Sequence, residues 1–299
     1  MTAPLPHPTS ASSAPLGKED LAAEISAQLS TQLRRVRLRG FHHPAPPAPT
    51  LVAVAHGSRD PRALPTVRAL LDRVRALRPG LPVRLGHIEL NRPLLADTLA
   101  ELQGAAVLVP LLFGRGHHVT HDLPAALAAA PHLTGRIAEP LGPHTLLAEA
   151  LHGRLLEAGF PGGRSPRTAV VLAAAGSRAP RSAQDTERTA HLLSARLGGT
   201  PVVPAYASAA PTVADAVRAL TARGHDRIAV AGCFTAPGRF AAQCAAAAPG
   251  PAAAPLGDHP ALARLVLHRY DQALLACDQA LLAGTGSDPE SARAATVAV

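Results

Sequence analysis

Tryptophan is absent from the sequence, methionine occurs once, and aromatic residues make up only 2% of the chain. Proteins that read single-stranded nucleic acid stack bases on aromatic side chains. The formal net charge of +8 therefore argues for anionic partners in general, and a poly-anionic small molecule suits it as well as nucleic acid does. Cysteine is also scarce. Cys233, Cys244 and Cys277 form no C-x-x-C pair and cannot all be paired within one chain, which excludes a disulfide framework and points to a reducing, cytoplasmic setting. No apolar run is long and unbroken enough to span a membrane, and "MTAPLPHPTSASSAPLGKED" lacks the basic start and apolar core of a signal peptide. Dedicated nucleophile and nucleotide signatures are missing too: there is no G-x-S-x-G elbow and no Walker-type loop.

What is present is apolar residue in quantity, 47% of the chain and much of it alanine, enough to fill two cores. Residues 1 to about 17 are Pro, Ser, Ala and Thr and are expected to be disordered. "KEDLAAEISAQLSTQLRRVRLRG" carries acid at its start, base at its end, and Leu21, Ile25, Leu29, Leu33 and Val36 along one face. That pattern predicts an amphipathic helix within a tail spanning residues 1–48. "FHHPAPPAPT" is a linker, with His42 and His43 solvated.

From Leu51 onward, short apolar runs alternate with helical patterns. "LVAVAH", "VRLGHIEL", "AAVLVPLLF" and "RIAEPL" read as strands, with helices over 63–78, 93–102, 123–130 and 143–158. The alternation predicts a parallel α/β sheet covered on both faces. A Gly/Pro break at 158–167 then precedes a second pass through the same pattern. "HGSRDPR" from His56 returns as "AGSRAPR" from Ala175, "NRPLLADTLAEL" from Asn91 returns as "AAPTVADAVRAL" from Ala209, and "PLGPHTLLAEAL" from Pro140 returns as "PLGDHPALARLV" from Pro255. Three blocks in one order at nearly constant offset indicate a duplication. The expected architecture is α/β, two tandem pseudo-symmetric domains at 49–160 and 166–284, each a parallel sheet flanked by helices, followed by a flexible tail over 285–299.

Duplication supplies an internal control. Polar features kept in both halves serve the fold, and those found in one half only are candidates for function. His56 answers to Ala175, Glu89 to Ala207, and His118 to Phe240 when Gly116 is matched to Gly238. His144 and His259 both follow "PLG" and are assigned to helix starts. The three one-sided residues fall at the ends of three successive strands, where open parallel sheets bind ligands. Two imidazoles and a carboxylate there suit a divalent first-row metal with open positions for substrate. Glu89 inside a buried strand run is costly unless paired or coordinated. His87 reads as structural, His117 and His121 as surface residues, and Asp122 before Leu123 and Pro124 as an N-cap.

"AHGSRDP", the glutamate four residues before proline in "IELNRP", and "PLLFGRGHHVTHDLP" resemble the signatures of the class II tetrapyrrole chelatases, the sirohydrochlorin cobalt- and ferrochelatases, over about residues 50–285. A two-copy form also belongs to that family. "DLP" carries leucine for the family's isoleucine, and "GHH" offers His117 beside His118. The resemblance implies a lyase that inserts Co2+ or Fe2+ into sirohydrochlorin for siroheme or cobalamin synthesis. It implies His56, Glu89 and His118 as metal ligands and catalytic groups, and no permanently bound cofactor, the metal being a substrate. Ser58, Arg59 and Arg115 on the adjoining loops are expected to bind the substrate's carboxylates. Ser58 and Arg59 recur as Ser177 and Arg178, so a structural role stands beside the functional one. The partner is expected to be the small tetrapyrrole, with no nucleic acid and no membrane, and the chain a monomer whose halves form an internal pseudo-dimer. A metal-binding carrier or regulator without turnover and a metal-assisted hydrolase of an anionic substrate are the alternatives the residues leave open.

Overall fold

The computed structural model describes residues 48–161 and 165–284 together with Gln28; from Cys277 onward only the backbone is described. The expected disordered segment, amphipathic helix, linker histidines and C-terminal tail lie outside the described residues. The described residues from Ala48 onward group into one compact unit.

The first half runs β1 (Thr50–Ala55), α1 (Ala63–Leu77), β2 (Val83–His87), α2 (Leu95–Ala100), β3 (Gly104–Pro110), a π-helical turn (His118–Asp122), α3 (Leu123–Ala128), β4 (Leu133–Ile137) and α4 (Thr145–Glu157). All its strands are parallel and lie in the order β2-β1-β3-β4. The second half follows with β5 (Thr168–Ala174), α5 (Pro180–Arg196), β6 (Val202–Tyr206), α6 (Val213–Ala222), β7 (Arg227–Gly232), α7 (Arg239–Ala246) and α8 (Pro260–Gly284). Its sheet has the parallel order β6-β5-β7. Where the first half builds β4, the second makes a single bridge between Val230 and Ala252. The α/β architecture with two parallel sheets is the one expected.

Local sequence accounts for these elements. β1 is buried along Leu51–Ala55, as a central strand covered on both faces requires. In α1, Val67, Leu70, Leu71 and Val74 recur at three- and four-residue spacing and are all buried. α6 starts on a capping box in which Thr212 and Asp215 bond each other's backbone N–H.

The core departs from the expectation of two separate ones. A single cluster takes Leu51, Leu71, Val107, Leu147 and Leu151 from the first half and Val170, Leu172, Leu193, Leu262 and Val266 from the second. Each sheet keeps only a smaller cluster of its own on the opposite face, around Val52, Leu99 and Leu108 in one half and Val171, Val213 and Leu220 in the other. The physical reason lies in α4 and α8, apolar on more than one side, which pack on each other and on the partner half. α8 reaches α1 as well, where Arg78 donates to both oxygens of Asp271 at 2.5 and 2.8 Å and the Tyr270 hydroxyl donates to Pro49 O at 2.7 Å.

Candidate active site

In the order β2-β1-β3-β4, the connections leave β1 toward opposite edges, so the crevice at the carboxyl ends of β1 and β3 is the topological switch point. His56 follows β1 directly and His118 opens the π-helical turn after β3. Their rings meet edge to face with centroids 4.8 Å apart. His56 Nδ1 lies 3.2 Å from Gly57 O and 3.5 Å from Glu89 Oε1. The structure therefore brings all three expected residues into one neighbourhood. Among the described residues, however, no three His, Cys, Asp or Glu donors already stand as a closed metal cage. Glu89 is half exposed and sits on the Nδ1 side of His56.

Two expectations about Glu89 need correction. β2 ends at His87, so Glu89 stands beyond the strand in a solvent-facing bend, and the cost of burying a carboxylate does not apply to it. Its sister residue is also one position later than expected. Ile88 N donates to Ala55 O and Glu89 N to His56 O, while Ala207 N donates to Ala174 O and Ser208 N to Ala175 O. The register pairs Glu89 with Ser208. His87 N and Tyr206 N then bond Pro93 O and Pro211 O, so the first half carries one extra residue in this bend, and Leu90 takes a left-handed φ of 67° there. The site remains one-sided, because Ser208 spends its hydroxyl on Ala175 O at 2.7 Å.

Gly57 explains how Glu89 comes so close to His56. Its φ is +105°, and a Cβ on it would stand 1.9 Å from Glu89 O. Only glycine permits both the turn and the approach. Asn91 adds a second tie, its Oδ1 accepting from Ser58 N at 2.7 Å.

His118 is held by a different device. The π-helical turn closes with Leu123 N donating to His118 O, and its wide pitch brings Asp122 Oδ2 to 2.6 Å from His118 Nδ1. Contrary to expectation, Asp122 does not cap α3: its backbone is already helical, it makes no side-chain cap bond, and its carboxylate serves the imidazole. A carboxylate on Nδ1 fixes the tautomer and leaves Nε2 with its lone pair. The i,i+4 spacing of His118 and Asp122 was the available sequence signal for this role. His117 and His121 stack on each other at 4.6 Å, and His117 is 70% exposed with Nε2 3.6 Å from Asp122 Oδ1, in keeping with a surface position; of the two neighbours, His118 is the one whose ring meets that of His56.

The loop residues divide. Ser58 Oγ donates to Pro237 O of the second half and accepts from Asp60 N, both at 3.1 Å. Arg59 is exposed and makes no ion pair among the described residues. Arg115, expected to bind substrate carboxylates, is instead committed to protein: its backbone N and Nε each donate to Asp185 Oδ2 at 3.0 Å and its Nη2 to Oδ1 at 2.5 Å. Asp185 is fully buried, and so strong a partner leaves that fork with little to offer a ligand. The sequence held no signal for Asp185.

The other histidines behave as structural residues. His87 is buried with Nδ1 3.1 Å from Pro93 O, and burial pushes its pKa down. His144 and His259 cap α4 and α8 in the same way, each Nδ1 accepting the backbone N–H two residues on, at 3.1 and 3.2 Å. Burial, aided by Arg269 and His268, brings His144 down to about 4. Cys233 and Cys244 are free and buried, and burial pushes their thiols up to about 12 and about 11. Thiols held protonated in this way are poor metal ligands.

Comparison with known proteins falls on this same fold. The CbiX family model matches residues 50–158 and again 169–273. The chain belongs to the CbiX family. Its duplicated form is explicit in the curated relatives: sirohydrochlorin cobaltochelatase of Methanococcoides burtonii is 28% identical over 123 residues, which are 94% of that protein but 36% of this chain. That relative has about the length of one half. Among solved structures, the sirohydrochlorin chelatase SirB of Bacillus subtilis subspecies spizizenii in complex with cobalt superposes with a TM-score of 0.59, and SirB from Bacillus subtilis with Fe3+ with 0.60. Each is 19% identical and covers 75% of this chain and 94% of its own. At that identity the likeness establishes the shared fold.

Among the described residues no helix is long and apolar enough to cross a membrane.

Proposed function

We propose that this CbiX protein is a sirohydrochlorin metal chelatase, a lyase that inserts Co2+ or Fe2+ into the macrocycle at the crevice between β1 and β3. The observation that carries the reading is the pair of facing imidazoles, each with Nδ1 occupied by an oxygen: Gly57 O and Glu89 for His56, Asp122 for His118. That arrangement leaves two basic Nε2 atoms in one crevice. Supporting it are the family membership and the activity named for the methanogen relative.

Insertion exchanges the metal ion for the two pyrrole N–H protons, which must leave as metal–nitrogen bonds form. Imidazole, ordinarily titrating near about 6.5, is matched to accepting a proton near neutrality. In the proposed cycle His56, His118 and Glu89 deliver the metal, the two imidazoles take up the displaced protons, and Glu89, half exposed, passes protons to solvent. Histidine and carboxylate accept cobalt and iron alike, so both metals are in scope, serving cobalamin or siroheme synthesis. Arg59 and the overall positive charge attract the poly-carboxylate substrate, while Ser58 ties the first loop to the second half.

Two finer readings go with this. The protein is proposed to act in the cytoplasm, where its buried thiols stay reduced. It is also proposed to be a monomer, the second half occupying the place a partner subunit would take; the shared core supports this, and sedimentation as a stable dimer would count against it.

The deciding experiment is an anaerobic absorbance assay of sirohydrochlorin with Co2+ or Fe2+, comparing wild type, His56→Ala and the remote His191→Ala. Metal-dependent conversion lost only in His56→Ala establishes a chelatase. No acceleration over the enzyme-free reaction with either metal rejects it in favour of a metal carrier.

A further inference from the structure

We propose that Asp185, in the half that has lost the metal-binding residues, is a positioning residue for His118. The inference rests on the chelatase reading of the same site and names what holds that site in shape.

Applied once more, the internal control singles Asp185 out. Asp185 corresponds to Thr66 in the first half, whose hydroxyl merely bonds Arg62 O of its own helix. Arg115 corresponds to Pro237 in the second half. The Arg115–Asp185 pair therefore has no pseudo-symmetric counterpart, although the neighbouring contacts do: a Cβ on Gly116 would stand 3.3 Å from Ser177 Oγ and one on Gly238 3.0 Å from Ser58 Oγ. The two halves dock on each other in both directions, but of these two loop contacts only the one beneath the site-bearing loop carries a buried carboxylate.

The hydrogen bonds of that carboxylate go to the other half, while within its own half it acts only at longer range, on Arg269. Both carboxylate oxygens of Asp185 are taken by Arg115, through one backbone and two side-chain N–H donors. A fully buried carboxylate is costly unless paired and hydrogen-bonded, and a bidentate fork fixes direction as well as distance. The loop it fixes is flat against α5: a Cβ on Gly114 would stand 3.3 Å from Ser182 Oγ and 3.5 Å from Asp185 Cβ. From Arg115 the constraint passes along the chain, Gly116 N donating to Gly114 O and Val119 N and Thr120 N to Gly116 O. Those bonds set the turn on which His118 stands. Asp122 orients the His118 ring within its turn; Asp185 sets where that turn sits relative to His56.

The test separates position from stability. Asp185→Asn keeps size and loses the charged acceptor, while Leu193→Ala weakens the same helix in the shared core without touching the loop. With cobalt and sirohydrochlorin at a temperature well below both unfolding transitions, Asp185→Asn is expected to lower kcat about 10- to 100-fold with KM nearly unchanged, and Leu193→Ala to lower Tm but leave kcat. Equal kcat losses in the two variants, or none in Asp185→Asn, overturn the proposal. Should Asp185→Asn fail to fold, Arg115→Lys keeps the charge, loses the fork and is expected to show the same split. A second readout needs no turnover. In imidazole 15N–1H spectra of the metal-free protein, Asp185→Asn or Arg115→Lys is expected to shift the His118 ring signals and leave in place those of His132, whose ring bonds Leu99 O. Unmoved His118 signals overturn the positioning role even if the chelatase reading holds; shifted signals in a protein that inserts no metal sustain the positioning and reject the chelatase reading instead.

Discussion

His118 Nδ1 and Asp122 Oδ2 lie 2.6 Å apart across one π-helical turn. An α-helical turn at this point would close one residue earlier, with Asp122 N rather than Leu123 N donating to His118 O, and isolated π-turns recur at functional sites. The second half shows the alternative, since α7 runs as ordinary α-helix from Arg239 and presents Phe240 where His118 would be. The consequence is testable with Asp122→Asn. The amide offers a neutral, weaker acceptor, and if its NH2 turns inward it favours the wrong tautomer. Initial rates of cobalt insertion are expected to fall about 10- to 100-fold, with far-UV circular dichroism unchanged. Full activity in Asp122→Asn would remove the carboxylate from the site.

Gly57 and Gly80 make a matched pair for asking what the first loop requires. Both have positive φ, +105° and +86°, but a Cβ on Gly80 meets nothing within 4 Å while one on Gly57 strikes Glu89 O. Gly80→Ala is expected to cost about 1 kcal/mol from backbone strain alone and to retain activity. Gly57→Ala adds a collision with backbone that cannot swing aside, so it displaces Glu89 from His56 and is expected to lose activity about 100-fold. Comparable activities for the two variants would show that the close approach is dispensable.

The caps on α4 and α8 predict the acid behaviour. His144 accepts the Leu146 N–H through Nδ1, which only a neutral ring can do, and burial together with Arg269 and His268 holds its pKa at about 4. His259 is lowered in the same direction, by burial and then Arg154. A histidine whose pKa is lower folded than unfolded binds its proton more readily in the unfolded chain. Its contribution is therefore complete above about pH 6.5 and is lost as pH falls toward 4. Between pH 7.5 and pH 5 the Tm is expected to drop, with His144 accounting for about 1 kcal/mol after screening at its partly exposed ring, or about 2–4 °C. His144→Asn keeps a capping acceptor and removes the titration, so its Tm is expected to vary less over that interval. A wild type and a variant with parallel pH profiles would contradict the assignment.

The sequence carried the sheet, the duplication and the identity of the three residues at the crevice because each leaves a local mark: apolar runs of strand length, blocks returning in order, and histidines present in one copy only. It misplaced Glu89 by one position because the returning blocks, offset by 119 at His56 and by 118 at Asn91, mark one extra residue between them without locating it; only the ladder, Ser208 N to Ala175 O beside Glu89 N to His56 O, places it after Glu89, in the bend at Leu90. Asp122 was misread because the D-L-P pattern marks a helix start in most contexts, and a π-turn depends on tertiary placement rather than on composition. Arg115 looked like a substrate cation because its partner lies in the other half. Nothing local to either residue announces a contact between positions 115 and 185, and the shared core was illegible for the same reason.

That shared core bears on how the molecule unfolds. Leu151 on α4 is fully buried in the cluster that also takes Leu172, Leu193 and Leu262 from the second half, so neither half can open without stripping apolar surface from the other. Two domains with private cores would melt in two steps, each answering to its own mutations. Here a single calorimetric transition is expected. Leu151→Ala leaves a cavity in the common layer and is expected to cost about 2–5 kcal/mol, a Tm decrease on the order of 10 °C for a unit of this size, with the whole transition moving together. Val171→Ala, in the outer cluster of the second sheet, is expected to move the same single transition by less. If Leu151→Ala splits the curve and leaves an unmoved upper step, the second half has a stability of its own and the picture of one jointly built core is wrong.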